Sequence, residues 1–303
     1  MAPAAEAKEG SAEAMSGWRR MLELAGDHGA GAGDKMRAFE IILLMHVCTR
    51  LWIWAMRPYA GAGASKYVVA AAATGLALAA LRHGWERRAA AGIALILLGK
   101  IVATFPETSN HSMLELLAVT LLASIDRRSI EERALLIQSG CWIAAIVLFY
   151  SGLQKVLYGT YFDAQFLGAF IAAKPSFAQA FGFVVPAAEL ARLQSLPLRL
   201  GSGPFAVNSP AILALSNAVY AVEMALPAFL LWRRTRAAAV VLAIAFTASL
   251  QTAARELLFG ALFINLLLLF PRHAANRRLL PAFVVFYLCL LALRLFAPGV
   301  YFN

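Results

Sequence analysis

Residues 135–157 read LLIQSGCWIAAIVLFYSGLQKVL. At ~1.5 Å per residue, a helix of this length crosses the ~30 Å hydrocarbon layer of a bilayer. Apolar and polar residues do not alternate along it. In lipid every backbone N–H and C=O must find its partner inside the protein, so the run reads as a transmembrane helix and not as a barrel strand. Comparable runs at about 39–57, 66–81, 89–105, 111–125, 210–232, 237–250, 257–270 and 279–296 complete the pattern. The expected fold is all-α: a polytopic integral membrane helix bundle of about nine transmembrane helices. With 61% hydrophobic and only 15% charged residues, and a mean hydropathy of +0.69, the chain has lipid as its solvent.

The cations decide orientation. A net charge of +10 could suit nucleic acid, but the arginines sit in short clusters between apolar runs. That placement excludes nucleic acid as the partner and points to the lipid bilayer. Arg82, Arg87 and Arg88, then Arg127, Arg128 and Arg133, then Arg233, Arg234 and Arg236, then Arg272, Arg277 and Arg278 occupy every second loop. Lys and Arg in short loops mark the cytoplasmic side, which puts the N-terminus inside a bacterial inner membrane and Tyr301 to Asn303 outside. Joining 237–270 into one helix would carry the Arg272 cluster outside, so a break is expected between Gln251 and Glu256.

Residues 1–35, rich in Ala, Gly and Glu, read as a disordered cytoplasmic tail, and 36–303 as the transmembrane domain. The long connection at 158–208 falls on the outer face. Its apolar stretches and its breaks at Pro175, Pro186 and Pro197 suit an interfacial or lid segment, or a packing element. Cys48, Cys141 and Cys289 lie in apolar segments without CxxC spacing and read as small buried hydrophobes. No metal site is expected.

Ionisable residues within spans are costly and therefore candidates for function. Ser151, Gln154, Lys155 and Tyr158, spaced i, i+3, i+4 and i+7, form one polar stripe on the fifth helix. Lys155 either faces the interior or snorkels to the outer headgroups. Asn110, His111 and Ser112 open the fourth helix, with Glu115 one turn below His111. Asn110 would equally serve as a helix N-cap, and His111 as an interfacial hydrogen-bonding group. Glu223 lies mid-span and requires a cation or a proton. Arg50, Lys100 and Arg294 lie nearer helix ends, where snorkelling explains them.

Together these segments resemble the vitamin K-dependent γ-carboxylases and their bacterial relatives, the horizontally transferred transmembrane (HTTM) proteins. The resemblance rests on Asn110-His111-Ser112 followed by Ile125-Asp126-Arg127-Arg128, and on Phe149-Tyr150-Ser151-Gly152-Leu153-Gln154-Lys155 followed by Tyr161, where tryptophan is common. Glu223 with Leu226 to Leu231 matches more weakly. The resemblance implies a membrane lyase that takes a reduced naphthoquinone (menaquinol or vitamin K hydroquinone), O2 and CO2. Lys155 would act as the base that deprotonates the quinol. Oxygen-dependent epoxidation would then drive proton abstraction and carboxylation of an unknown peptide or protein substrate at the outer face. His111 would orient the quinol and Asn110 hold that geometry, while Gln154, Tyr158, Glu115, Glu223 and Gln251 would line the quinone site. Two departures stand out. Phe246-Thr247 replaces the family's Phe-His, with Gln251 one turn on as a polar substitute. The chain also stops at Asn303, without the luminal domain that recruits propeptide-tagged substrates to the eukaryotic carboxylases. A non-catalytic scaffold, maturation or immunity subunit is the alternative expectation.

Overall fold

The structure, a computed structural model, describes residues 31–57, 63–82, 84–106, 108–196, 205–271 and 275–297. Among these residues every regular element is a helix: α1 (Gly31–Ala55), α2 (Ser65–Ala80), α3 (Glu86–Thr104), α4 (Asn110–Ser124), α5 (Ile130–Tyr158), α6 (Gln165–Ala173), α7 (Pro175–Phe181), α8 (Ala187–Ser195), α9 (Pro210–Leu231), α10 (Arg236–Ala254), α11 (Leu257–Leu267) and α12 (Ala275–Phe296). Each apolar run read from the sequence coincides with one of them. Five, α1 from Ala32 together with α5, α9, α10 and α12, are long and apolar enough to cross a membrane. Helices α2 and α11 are apolar but shorter, α4 has 15 residues, and α3 carries Glu86, Arg87, Arg88 and Lys100.

One boundary moves. Helix α1 starts at Gly31, so the last residues assigned to the tail are helical. Lys35 there is buried and donates to Pro271 O, because the first turn of α1 packs beside the start of α12. The rest of that tail, 1–30, and Tyr301 to Asn303 lie outside the described residues, as do Pro197, Glu107 and Arg272. The break near Gln251 is present: Arg255 takes a left-handed conformation (φ 57°), and the Glu256 N–H bonds back to Gln251 O at 2.9 Å. This closes α10 in the manner of a Schellman motif. Of the thiols, Cys141 is buried, Cys48 is half-buried and Cys289 is exposed, so the expectation of three buried cysteines fails at Cys289.

The described chain forms two compact units, 31–141 with 257–297, and 142–256. In the first, α1 is buried on nearly all sides, packed by α2, α4, α11 and α12, while α3 lies against α2 and α4. A helix covered all round needs no polar face toward solvent, which is why residues 41–45 and 51–55 of α1 are apolar and its His46 and Arg50 turn to Glu115. One end of this unit gathers arginines from loops far apart in sequence. Arg37 donates to Leu81 O at 2.9 Å and Arg87 to Ala123 O at 3.3 Å, while Arg127 pairs with Glu40 and Arg277 with Asp34. Three of the four arginine loops that the charge pattern assigns to one side of the bilayer therefore share one end of this unit.

In the second unit α9 packs against α10, and the connection after α5 folds into α6, α7 and α8 around an apolar core of its own. Leu167, Ile171, Phe177, Val185, Leu193 and Phe205 fill that core. Pro175 starts α7 and Pro186 precedes α8, positions where a missing N–H costs nothing. Gly168 is required, since a Cβ there would collide with Phe205 O. Arg192 closes the layer by bonding Glu189 at 2.8 Å and Ala206 O at 2.7 Å. These bonds from Arg192, and one from the Asn208 N–H, hold the Glu189 carboxyl down at about 2.

Candidate functional site

Both units carry buried charges: Glu40 with Arg127, and Glu115 with Arg50 and His46, in one, and Lys155 with Glu223 in the other. In the 142–256 unit, Lys155 lies in the last turn of α5, and its Nζ donates to Glu223 Oε2 at 2.7 Å, Glu223 Oε1 at 2.9 Å and Ser151 Oγ at 2.8 Å. An ammonium has three N–H bonds, and all three are used. The Tyr161 ring lies 5.3 Å from the same Nζ, and its backbone carbonyl accepts from Ser216 Oγ at 2.7 Å, which ties the loop after α5 to α9. Glu223 is 3% exposed, so the pair is a charge pair inside the protein and not a snorkelling lysine.

Gly152 makes this approach possible. A Cβ at that position would lie 2.7 Å from Met224 Cγ and 3.0 Å from both Glu223 Cβ and Met224 N. Small residues at a helix crossing let two backbones come close, and here the crossing places Lys155 beside Glu223. Gln154 and Tyr158 lie elsewhere: both are exposed, Tyr158 at 77%. The stripe therefore divides, with Ser151 and Lys155 turned to α9 and the other two turned out. Thr247 and Gln251 are buried on α10, and Gln251 Oε1 has no hydrogen-bond partner among the described residues.

The other unit contains Glu115, fully buried on α4. Its Oε1 takes the Arg50 guanidinium and, at 2.8 Å, His46 Nε2, while Oε2 has no partner among the described residues. Arg50 Nη2 extends to Ser109 Oγ at 2.8 Å and Ser112 Oγ at 2.9 Å. Behind His46, Tyr287 Oη stands 3.3 Å from Nδ1. Because a carboxylate can only accept, Nε2 carries a hydrogen toward Glu115, and Tyr287 Oη meets the ring from its Nδ1 side. The result is a hydrogen-bonded line from α12 through α1 to α4.

His111 is half-buried at the head of α4, its ring edge-on to Phe259 at 4.1 Å, and Asn110 is exposed. Ser109, not Asn110, occupies the N-cap position, and its hydroxyl is taken by Arg50. His111 and Glu115 belong to one unit, and Lys155, Glu223 and Gln251 to the other. Sequence reasoning missed His46 and Tyr287 and read Arg50 as a snorkelling residue. The available signal was His46 with Arg50 at i, i+4, two polar groups on one face of an otherwise apolar helix. No family model, curated protein or solved structure matches the chain.

Proposed function

We propose that the protein is a membrane enzyme of the quinol-dependent carboxylase type, in which Lys155 is the base and Glu223 its proton partner. The observation that supports this reading is the single lysine of α5, held at 2.7 Å from a buried carboxylate within apolar helices. As an ion pair Lys155 has no lone pair to offer. One proton shift along that hydrogen bond gives a neutral amine beside a carboxylic acid, and no net charge enters the lipid. Ser151 Oγ keeps the amine aimed while its lone pair accepts a proton from the substrate side, and Glu223 holds the displaced proton.

A reduced naphthoquinone fits the donor set on one specific point. Its hydroxyls are donors, and Gln251 Oε1 is a buried acceptor with no donor among the described residues. Lys155 and Gln251 would hold it, with the Tyr161 ring as an apolar wall. When bound it supplies, with O2, the driving force for removing a carbon-bound proton that CO2 then replaces. On this reading all nine apolar helices span a bacterial inner membrane, with the N-terminus cytoplasmic and the substrate, a peptide or protein, at the outer face.

Membranes carrying the wild type, Lys155→Ala, Lys155→Arg and Glu223→Gln test it by quinol oxidation, with expression checked. A guanidinium stays protonated. Lys155→Arg should therefore keep the pairing with Glu223 yet lose turnover as fully as Lys155→Ala. Wild-type-like turnover in Lys155→Arg would sink the base assignment. Orientation is checked separately: an impermeant thiol reagent added outside should label a cysteine at Thr108 and miss one at Arg234. The second reading, a non-catalytic membrane subunit, draws on the same pair, because Lys155 and Glu223 satisfy each other and would serve as a fastener between α5 and α9. It predicts that Lys155→Arg behaves as wild type in every assay.

A further inference from the structure

Arg127 sits on the turn between α4 and α5 and reaches α1, where its Nη1 bonds Glu40 Oε1. Arg37 Nη1 takes the other oxygen of the same carboxylate at 3.2 Å. Two guanidiniums thus share one acid. The other acids beside Arg127 are engaged elsewhere: Asp126 Oδ1 accepts the Arg128 N–H at 3.0 Å, and Glu132 Oε2 accepts the Asp126 N–H. The pairing around Glu40 is left with an excess of positive charge.

That charge has a direction. Only 10% of the Arg127 side chain is exposed, and its Nε and Nη2 are buried with no acceptor among the described residues. On a planar guanidinium, Nε–H and the neighbouring Nη2–H lie on one edge and point the same way. Such an edge matches two oxygens of one phosphate or carboxylate. Buried donors on a charged group need an acceptor, because nothing else repays their lost hydration. The surroundings indicate which anion supplies it. Arg127 lies at the end of the unit where the arginine loops gather. Leu81, whose carbonyl Arg37 holds, and Ile130, which starts α5, are both exposed and offer apolar surface to acyl chains. Trp85 is exposed at the start of α3, 6.0 Å from Arg88 Cζ, and exposed tryptophans mark the headgroup level of a bilayer.

We infer that the Nε and Nη2 edge of Arg127 binds a phosphate group carried by an anionic lipid headgroup. Glu40 fixes the guanidinium through Nη1 and so aims the edge, while Arg37 adds attraction from the far side of the same carboxylate. Basic pockets between membrane helices hold anionic headgroups in this way. The inference is independent of the quinol reading and uses none of its residues.

The test is lipid retention by the full chain, released from nanodiscs of mixed phosphatidylglycerol and phosphatidylcholine and weighed by native mass spectrometry. Phosphatidylglycerol should be retained in preference, because choline would bring a further cation to a site that already has an excess. Arg127→Lys should weaken that preference about tenfold, the worth of one hydrogen bond to a charged group. An ammonium keeps the attraction to Glu40 but lacks the second edge, so this variant separates lost geometry from lost charge. Arg128→Gln removes an exposed charge from the same turn and should leave the preference nearly unchanged. The wild-type preference and its persistence in Arg128→Gln are measurable even if Arg127→Lys fails to fold. A parallel melting curve with inorganic phosphate identifies the source: an Arg127-dependent rise in Tm without lipid preference would support the site and assign it to soluble phosphate. Equal retention of the two lipids with no effect of phosphate would overturn the proposal. So would an undiminished preference in Arg127→Lys, or an equal loss in Arg128→Gln, the mark of diffuse surface charge.

Discussion

In the 142–256 unit one ammonium meets one carboxylate, whereas in the other unit the single carboxylate of Glu115 is shared by a guanidinium and an imidazole. The first arrangement can dissolve its own charge, since lysine gives up a proton when buried. The second cannot, because arginine keeps its proton under any condition a protein meets. A pair that can neutralise itself is suited to moving a proton. A cluster fixed by arginine is suited to holding helices α1, α4 and α12 in register.

That contrast can be broken by mutation. Glu115→Ala strands Arg50 and is expected to cost about 3–5 kcal/mol, the usual penalty for an uncompensated buried charge. Thermal unfolding in detergent would measure it. Glu223→Ala should cost less, about 1–3 kcal/mol, because the Lys155 side chain is 16% exposed and keeps its bond to Ser151. If the two variants melt alike, the distinction between the clusters fails. Replacing both Lys155 and Glu223 by Met should recover most of the single-variant loss, since a buried pair is often matched by apolar residues of similar size.

Gly152→Ala sharpens the comparison from the packing side. The added methyl must push α9 away at Met224 and Glu223, at about 1–3 kcal/mol, with the Lys155 to Glu223 separation increased. The smallest effect concerns Glu189, whose folded-state carboxyl titrates near 2, below its ordinary value. A depressed acid stabilises above its unfolded pKa and loses that contribution as pH falls through the folded one. Screening at this partly exposed pair limits it to about 0.5 kcal/mol. The stability gap between wild type and Glu189→Gln should therefore be full at pH 7 and close as the pH falls from ~4.5 toward ~2. A gap that widens on acidification would reverse the assignment.

Sequence alone determined the helices, because a bilayer admits few other backbones and their apolar length is written in consecutive residues. It also exposed Lys155, Glu223 and Glu115 as anomalies, since a charge in an apolar run is visible without any knowledge of its neighbours. The break at Arg255 followed from counting arginine loops. Partners were another matter. Lys155 and Glu223 are separated by 68 positions, and His46 and Glu115 by 69, and nothing periodic in the chain joins either pair. Helix packing alone decided that Ser151 turns inward with Lys155 while Gln154 and Tyr158 turn out, and that Gly152 is where α9 approaches. Such choices depend on which helix face meets which, a property set by side-chain volumes across distant segments and absent from any local stretch of sequence.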